Sequence, residues 1–360
     1  MAKIYDASLI GKKQSVVDEI LLLNPHQTPL LSLLGFSEAV TQTTHQWFED
    51  EMIADESTVA GAKLVSDTSV VVASAEPFRV GHVVKIGEEL LLVTAVAGTT
   101  LTVTRGYAGT TAAAIADGAK IEVQFVEGQE GADVRGARYK ARVAKSNKTQ
   151  IFDDAVEISG TAAAVQQYGI GDLYEYEKQK KQVELALSLE KALINGIQYE
   201  NGQIRQMKGI RQFIQTNVTN VGGALTLDAV TNLGQSIYEA GGFATGGDYK
   251  VIVGAKQKRK LSALDTNKVQ IGRSENSRGE VVDTLINDFG QFEIALNNNL
   301  AADELLFVDT NRMAIRPLVG REFFHKFMGD KGDYTVGMLV GEYTLEFKQE
   351  KAHGRLKGLA

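Results

Sequence analysis

The longest helical pattern in the chain is DLYEYEKQKKQVELALSLEKALIN, residues 172–195, which is followed by Gly196. Asp172 is a favourable N-cap, and Glu175 has the spacing of a capping box. Asn195-Gly196 is a typical stop signal. The stretch predicts a helix of about 36 Å, at a rise of roughly 1.5 Å per residue, which is the length of a structural strut. The apolar side chains expected to form its buried stripe are Leu173, Tyr176, Val183, Leu187 and Ile194.

The sequence that follows this helix alternates between helices and strands. The elements predicted within residues 222–316 are helices at 227–238 and 256–264 and strands at 249–253, 291–296, 304–309 and 312–316. The tail then alternates over residues 334–347 as one very long strand. Its phase slips by one residue at Gly341, which predicts a bulge or a bend there.

The sequence before the helix contains a distinct β-rich unit at residues 67–125. Its short β-branched runs, separated by Gly and Thr, predict a small antiparallel sandwich or barrel. The flanking residues 38–66 and 126–158 are polar and resemble each other in composition. The unit is therefore interpreted as an insertion into a long two-stranded excursion of the chain.

The N-terminal segment contains the run LLLNPHQTPLLSLLG, residues 21–35. This run is too apolar to be left in water and too short to span a membrane, which takes about 20 apolar residues. A short helix is expected at 18–23. Pro25 and Pro29 then favour an extended path, because each fixes φ and removes an N–H donor. Residues 1–37 are therefore interpreted as an arm that packs on its own domain or on a neighbouring copy.

The composition limits the classes of protein that the chain can represent. Its 360 residues suffice for two or three domains. The absence of Cys excludes disulfides, thiolate zinc sites and thiol catalysis, and it fits folding in a reducing cytoplasm. A net charge of −7 argues against a protein that wraps nucleic acid over a broad surface. It does not exclude a local basic surface. Neither a secretion signal nor a transmembrane helix is expected.

A search for catalytic motifs finds no phosphate-binding loop, dinucleotide fingerprint, zinc-protease motif or nucleophile elbow. The five histidines are scattered, and none has ligand spacing to another. Asp153-Asp154 is interpreted as two solvated acids at the N-terminus of a helix or turn, since neighbouring side chains point apart on regular elements. Glu88-Glu89 is interpreted as a turn. No cofactor and no metal are therefore predicted.

Two basic stretches have both a functional and a structural interpretation. The predicted helix at 256–264 contains Lys256, Lys258, Arg259 and Lys260, and we favour a solvated face over a nucleic-acid contact because the chain is acidic. A second basic series runs from Arg135 to Lys148. Its partners are either nucleic acid or acids of another subunit within residues 49–56, and charge complementarity between subunits fits an assembling protein better than an enzyme.

In this order, the parts of the chain resemble the major capsid proteins of tailed bacteriophages with the Hong Kong 97-type fold. The pieces that carry the resemblance are the arm NPHQTPLL (24–31) with Gly35, the spine helix (172–195), the strand KVIVG (250–254) entering a basic helix, and the returning strands FGQFEI (289–294), LLFVD (305–309) and MAI (313–315). The β-rich unit is similar to small domains of other phage structural proteins, mainly at VTRGYAGT (103–110).

The resemblance implies an α+β fold with five parts. They are an N-terminal arm (1–37), an extended loop (38–66 and 126–158), an inserted all-β domain (67–125), a peripheral domain with the spine helix (159–221 and 317–360), and an axial domain (222–316). It also implies a structural protein, not an enzyme, that self-assembles into the icosahedral head around double-stranded DNA. The implied location is the virion, after assembly in the host bacterial cytoplasm.

The expected partners are further copies in hexamers and pentamers, a scaffolding protein, a portal, and packaged DNA in weak non-specific contact, with no membrane. The predicted contacts between copies are Pro29, Leu30, Leu31, Leu33 and Leu34 in the arm, and Trp47, Arg135, Arg138 and Arg142 in the extended loop. Two alternatives remain. A tail-tube or decoration protein would be mostly β without a long helix, and a metal-dependent hydrolase would use Asp153-Asp154.

Overall fold

The computed structural model describes residues 28–128, 130–131, 135–165, 170–243, 247–263 and 284–360. The chain divides into two compact units. One is residues 48–143, called the β unit here, and the other joins residues 1–47 to 144–360 and is called the body. The helix expected at 18–23 lies outside the described residues.

The body begins with helix α1 (Pro29–Leu34), an extended segment and strand β1 (Thr44–Glu49). The expected extended path is wrong for α1, because proline is compatible with the first helical turn, where its missing N–H has no partner to lose. Gly35 ends the helix at a φ of 61°. From there Phe36 and Val40 form parallel bridges to Ile315 and Leu318, so the extended path begins after α1.

The β unit is built around one six-stranded antiparallel sheet. Its strands are β2 (Glu56–Thr58), β3 (Ser69–Val71), β4 (His82–Ile86), β5 (Glu89–Ala97), β6 (Thr100–Thr104) and β7 (Lys120–Val126). They lie in the order β2-β7-β4-β5-β6-β3 around a core of Val, Leu and Ile side chains. Residues 56–58, expected in the extended loop, belong to this sheet because β2 pairs with β7.

The body resumes with β8 (Val143–Lys148), which pairs with β1. The elements that follow are β9 (Gln150–Ser159), α2 (Gly160–Ala164), α3 (Leu173–Asn195), β10 (Tyr199–Asn201), β11 (Ile204–Gln206), α4 (Ile210–Phe213), β12 (Val218–Gly223), α5 (Leu227–Glu239), β13 (Tyr249–Val253) and α6 (Ala255–Ser262). The last strands are β14 (Thr284–Asn287), β15 (Gly290–Leu296), β16 (Leu305–Asp309), β17 (Met313–Pro317), β18 (Phe324–Asp330), β19 (Tyr334–Phe347) and β20 (Gly354–Leu359).

Two sheets organise the body. A mixed six-stranded sheet has the order β12-β20-β16-β13-β15-β14, and α5 packs beside it through Val230, Leu233 and Ile237. In a second sheet, β19 pairs with β9, β17 and β18. The long helix α3 packs on this second sheet, so its buried side chains share one core with those of β9 and β19.

Helix α3 has the predicted start but a different buried stripe. The Asp172 carboxylate accepts hydrogen bonds from the N–H groups of Tyr174 (2.9 Å) and Glu175 (3.3 Å), which confirms the N-cap. The buried residues are Leu185, Leu189, Glu190, Leu193 and Ile194, whereas Val183 is 38% exposed. The predicted stripe is wrong at Val183, because the fully buried side chains are confined to the C-terminal half of the helix. At the N-terminal end, Leu173 and Tyr174 pack against the same core and stay partly exposed.

Strand β19 runs without interruption through Gly341, so the bulge predicted there is wrong. Its pairing with β9 is continuous on one edge. On the other edge, β18 pairs as far as Val340 and β17 pairs from Tyr343, so the partner changes at the glycine. A Cβ at Gly341 would lie 2.5 Å from the ring of Phe323. The alternation of apolar and polar residues breaks here because both faces of β19 are buried. Gly341 has no side chain and therefore leaves room for the ring of Phe323.

Candidate assembly surfaces

The arm is attached to the body through a buried carboxylate on α3. Glu190 is fully buried, and its two carboxylate oxygens accept hydrogen bonds from the N–H groups of Leu30 and Leu31, both at 2.9 Å. The amide of Asn297 donates a further bond of 2.6 Å. Burial raises the pKa of Glu190, and these three hydrogen bonds oppose the rise. Glu190 satisfies the first N–H groups of α1, where Thr28 makes no side-chain cap.

The predicted arm contacts divide into a buried residue and partly exposed ones. Leu30 is 1% exposed and lies in the core beneath α3, so in this conformation it has no surface to offer to a neighbouring copy. Leu31 and Leu34 pack against the same core and remain partly exposed. Pro29 and Leu33 are also partly exposed. A contact between copies stays a prediction for these four side chains.

Trp47, predicted to contact a neighbouring copy, also lies in the core of its own chain. Its side chain is 6% exposed, and its ring centroid lies 6.0 Å from that of Phe213 and 5.8 Å from that of His45. In this arrangement Trp47 joins β1 to the interior of the body. The sequence shows an alternating pattern around Trp47 in β1. It does not show which element packs against the tryptophan.

The β unit begins and ends with two adjacent segments, residues 48–52 and 139–143, called the ribbon here. Two ion pairs connect them. Arg142 Nε lies 3.3 Å from Asp50 Oδ2, and Lys140 Nζ lies 3.2 Å from Glu51 Oε2. Two of the acids proposed as partners of the basic series, Asp50 and Glu51, therefore pair with it inside the same chain. The two segments meet because the excursion returns to its starting point.

The ribbon also presents large apolar side chains that its own unit leaves uncovered. The exposed fractions are 73% for Phe48, 92% for Met52, 85% for Tyr139 and 49% for Val143. Single exposed apolar residues are ordinary, but a concentration on two adjacent segments is typical of a contact surface. Arg135 and Arg138, the other predicted contacts, lie just before the returning segment and are exposed.

Two further buried carboxylates lie on one face of β19. The Glu346 carboxylate accepts hydrogen bonds from His45 Nε2 at 2.7 Å, from Lys348 Nζ at 2.6 Å and from Arg316 Nε. Burial alone would raise the pKa of Glu346, but hydrogen bonds from these three groups lower it to about 2. Four residues earlier, Glu342 pairs with Arg205 Nη2 at 2.9 Å and with other groups. Neither buried carboxylate is evident from the sequence, because alternating acids on a strand resemble a solvated face.

Of the adjacent acids, Glu88 alone occupies its predicted position. Asp153 and Asp154 lie within β9 and not at the start of a helix or turn, and Asp154 pairs with Lys181 at 3.1 Å. Glu88 is exposed in the turn before β5, whereas Glu89 is 2% exposed and binds Arg105 through two contacts of 2.7 Å. In the part of the chain that the structure describes, no group of three metal-ligating side chains occurs. No described helix is long and apolar enough to cross a membrane.

Among the residues that the structure describes, two histidines are buried, one in each unit. His353 in the body is fully buried; its Nδ1 accepts the Asp309 N–H at 3.1 Å, and burial lowers its pKa to about 3. His82 in the β unit is 2% exposed, and burial followed by nearby arginines lowers its pKa to about 4. Both are therefore neutral structural groups at pH 7, while His26 lies outside the described residues.

The predicted basic helix is present as α6. Gln257 and Leu261 face the interior, and Lys256 and Arg259 are exposed. The helix thus presents cations on one side and an apolar anchor on the other. This arrangement fits both a solvated face and a weak contact with a polyanion.

Comparison with known proteins identifies the relatives of the chain. Residues 3–360 match the family described as SU10 major capsid protein.

The capsid of a native GTA particle is 11% identical, with a TM-score of 0.53 over 99% of this chain and 98% of that one. The capsid of Myoviridae phage XM1 is 13% identical, with a TM-score of 0.52 over 99% of both chains. The structure from Mycobacterium phage Adephagia is 12% identical, with a TM-score of 0.52. It covers 99% of this chain and 98% of its own. These likenesses establish the shared Hong Kong 97-type α+β fold. No curated protein matches the sequence.

Proposed function

Since this chain belongs to the SU10 major capsid protein family, we propose that its ribbon and the exposed face of its arm join neighbouring copies into a closed shell. The chain is a structural protein of a phage capsid. The observation that carries the proposal is the exposure of Phe48, Met52 and Tyr139 on adjacent segments of one ribbon. Burying such side chains against another copy stabilises association by about 25 cal/mol per Å² of apolar surface.

The shell is proposed to be icosahedral, built from hexamers and pentamers and assembled in the host cytoplasm with a scaffolding protein and a portal. Each contact between copies is modest, and repetition over many copies makes the lattice stable. The exposed cations of α6, including Lys256 and Arg259, are proposed to make the weak, non-specific contact with packaged double-stranded DNA. The role is mechanical and needs neither catalysis nor a cofactor.

The ribbon is tested by replacing Met52 and Tyr139 with serine in the full chain, expressed with the neighbouring phage structural proteins. We expect folded protomers with an unchanged circular dichroism spectrum and a yield of particles that is lower by about tenfold or more, because truncating a central contact residue, typically an aromatic one, costs roughly 1 kcal/mol or more of association free energy. Ile197→Ser is the matched control, since Ile197 is 66% exposed but lies outside the ribbon. Electron microscopy that finds a normal number of particles from the double variant would contradict the proposal.

The arm is tested by a deletion that ends at residue 27. The deletion stops there because Leu30 belongs to the core of the body and Leu31 donates to Glu190. We expect a soluble, folded protomer with impaired assembly. A variant that also lacks residues 28–34 serves as the comparison, since it should lose stability as well as assembly.

A further inference from the structure

A cluster of arginines surrounds the turn that leads into β4 of the β unit. Arg79 Nε donates to His82 Nε2 at 2.9 Å, and Arg138 Nη1 donates to the carbonyl oxygen of Pro77 at 2.8 Å. Arg135 donates to the carbonyl oxygen of Glu127, and its guanidinium lies 4.0 Å from the position of a Cβ on Gly81. Three cationic side chains from two separate segments thus meet at residues 77–82.

These cations have no acidic counterpart in the part of the chain that the structure describes. Arg142 of the ribbon and Arg205 of the body pair with carboxylates, whereas Arg79, Arg135 and Arg138 contact only a ring nitrogen and carbonyl oxygens. Each guanidinium has five N–H donors, so most donors of the three remain available. Like charges held together without a counter-ion repel one another, which costs folding free energy.

The buried histidine gives an independent indication of a missing acceptor. Because His82 Nε2 accepts the bond from Arg79, a neutral ring carries its proton on Nδ1. Nδ1 is buried and has no hydrogen-bond partner among the described residues. The arginines lower the pKa of His82 further after burial has lowered it, which keeps this ring a neutral donor. The turn therefore combines cationic donors with one unsatisfied neutral donor.

We infer that residues 77–82, with Arg79, Arg135 and Arg138, form a binding site for an oxyanion, either a free phosphate or a carboxylate of a neighbouring copy. Both ligands offer several acceptor oxygens, and guanidinium groups bind such oxygens by strong, charge-assisted hydrogen bonds. An oxyanion would neutralise the cluster and tie the segment around residues 135–138 to the turn. The carboxylate source extends the proposed assembly role, whereas the phosphate source is independent of it.

The test is hydrogen–deuterium exchange of the full-length chain, followed in peptides that contain residues 77–82. Unassembled protomers are compared in inorganic phosphate and in chloride at equal ionic strength. At a phosphate concentration ten times its dissociation constant, we expect exchange in this turn to slow by about tenfold. Arg79→Gln and Arg138→Gln should each abolish the difference, and Arg142→Gln should preserve it, because Arg142 pairs with Asp50 outside the cluster.

The same measurement on assembled particles separates the two sources. If a neighbouring copy supplies the carboxylate, the turn is already protected in particles and phosphate adds nothing further. If the ligand is free phosphate, it slows exchange in protomers and particles alike. The inference is overturned if neither phosphate nor assembly protects the turn more in the natural protein than in the Arg138→Gln variant. Normal particles from that variant would leave the proposed shell function intact.

Discussion

The β unit and the body both bury carboxylates. In the two units, these carboxylates pair with groups at very different separations along the sequence. In the β unit, Glu89 and Arg105 lie 16 residues apart. In the body, Glu190 accepts from Leu30 across 160 residues, and Glu346 contacts His45 across 301. The β unit therefore closes its buried polar network within one contiguous segment, whereas the body needs distant segments to meet first.

This difference has consequences for how each unit responds to change. A local network forms with a small loss of loop entropy, so it should depend little on the rest of the chain. Contacts between distant segments form only when the whole unit is folded. Losses in the β unit should therefore stay local, and losses in the body should spread along the elements that share its core.

The largest effect is expected for Glu89→Gln in the β unit. The change leaves the Arg105 guanidinium buried without a counter-ion, and we expect the β unit to lose about 3–5 kcal/mol of stability. Exchange measurements on the full chain should show faster exchange in β4, β5 and β6 and unchanged exchange in α3. Glu88→Gln is the control, since the Glu88 side chain is 97% exposed. Equal loss of protection in both units would refute the proposed independence.

A smaller but more widely spread loss is expected for Glu190→Ala in the body. The substitution leaves the N–H groups of Leu30 and Leu31 and the amide of Asn297 without their acceptor, at a cost of about 2–3 kcal/mol. Exchange should rise in α1, in the C-terminal half of α3 and after β15. Lys191→Ala, at the adjacent exposed position, should change none of these. A rise confined to α1 would mean that the arm is not coupled to the body.

Acidification should weaken both units through their buried histidines. His82 and His353 have pKa values lowered from 6.5 to about 4 and about 3, so the unfolded chain binds protons first as the pH falls. Their contribution is fully present above pH 6.5 and is lost as the pH falls toward these values, at roughly 1.4 kcal/mol per pH unit and histidine. Urea unfolding between pH 7 and 5 measures the slope. His82→Gln should flatten it for the β unit alone, and an unchanged slope there would contradict the assignment.

The smallest effect is expected for Asp50→Asn in the ribbon. The Asp50–Arg142 pair is largely exposed, with side-chain exposures of 58% and 75%, so its loss should change stability by less than about 1 kcal/mol. Thermal unfolding of the protomer should be nearly unchanged, at low and at high salt. A large loss would mean that the ion pairs hold the two segments of the ribbon together.

The sequence predicted elements better than it predicted their surroundings. The start of α3, the strand at Tyr249–Val253 and the strands of the β unit were visible because capping residues and alternation act over a few neighbouring positions. The patterns around Trp47 and Leu30 predict amphipathic segments, but they do not show which element of the chain covers the apolar side. Glu342 and Glu346 are not evident for the converse reason, since the groups that pair with them come from β1, β11 and β17.

Short-range patterns in the amino-acid sequence specify where the chain turns, caps and alternates, and hence the order of parts that is shared with phage capsid proteins. Folding brings α1 onto Glu190, pairs Asp50 and Glu51 of the ribbon within their own chain, and collects three arginines at one turn. Local propensity depends on residues a few positions apart, whereas burial and charge neutralisation depend on groups that the folded chain brings together across hundreds of residues.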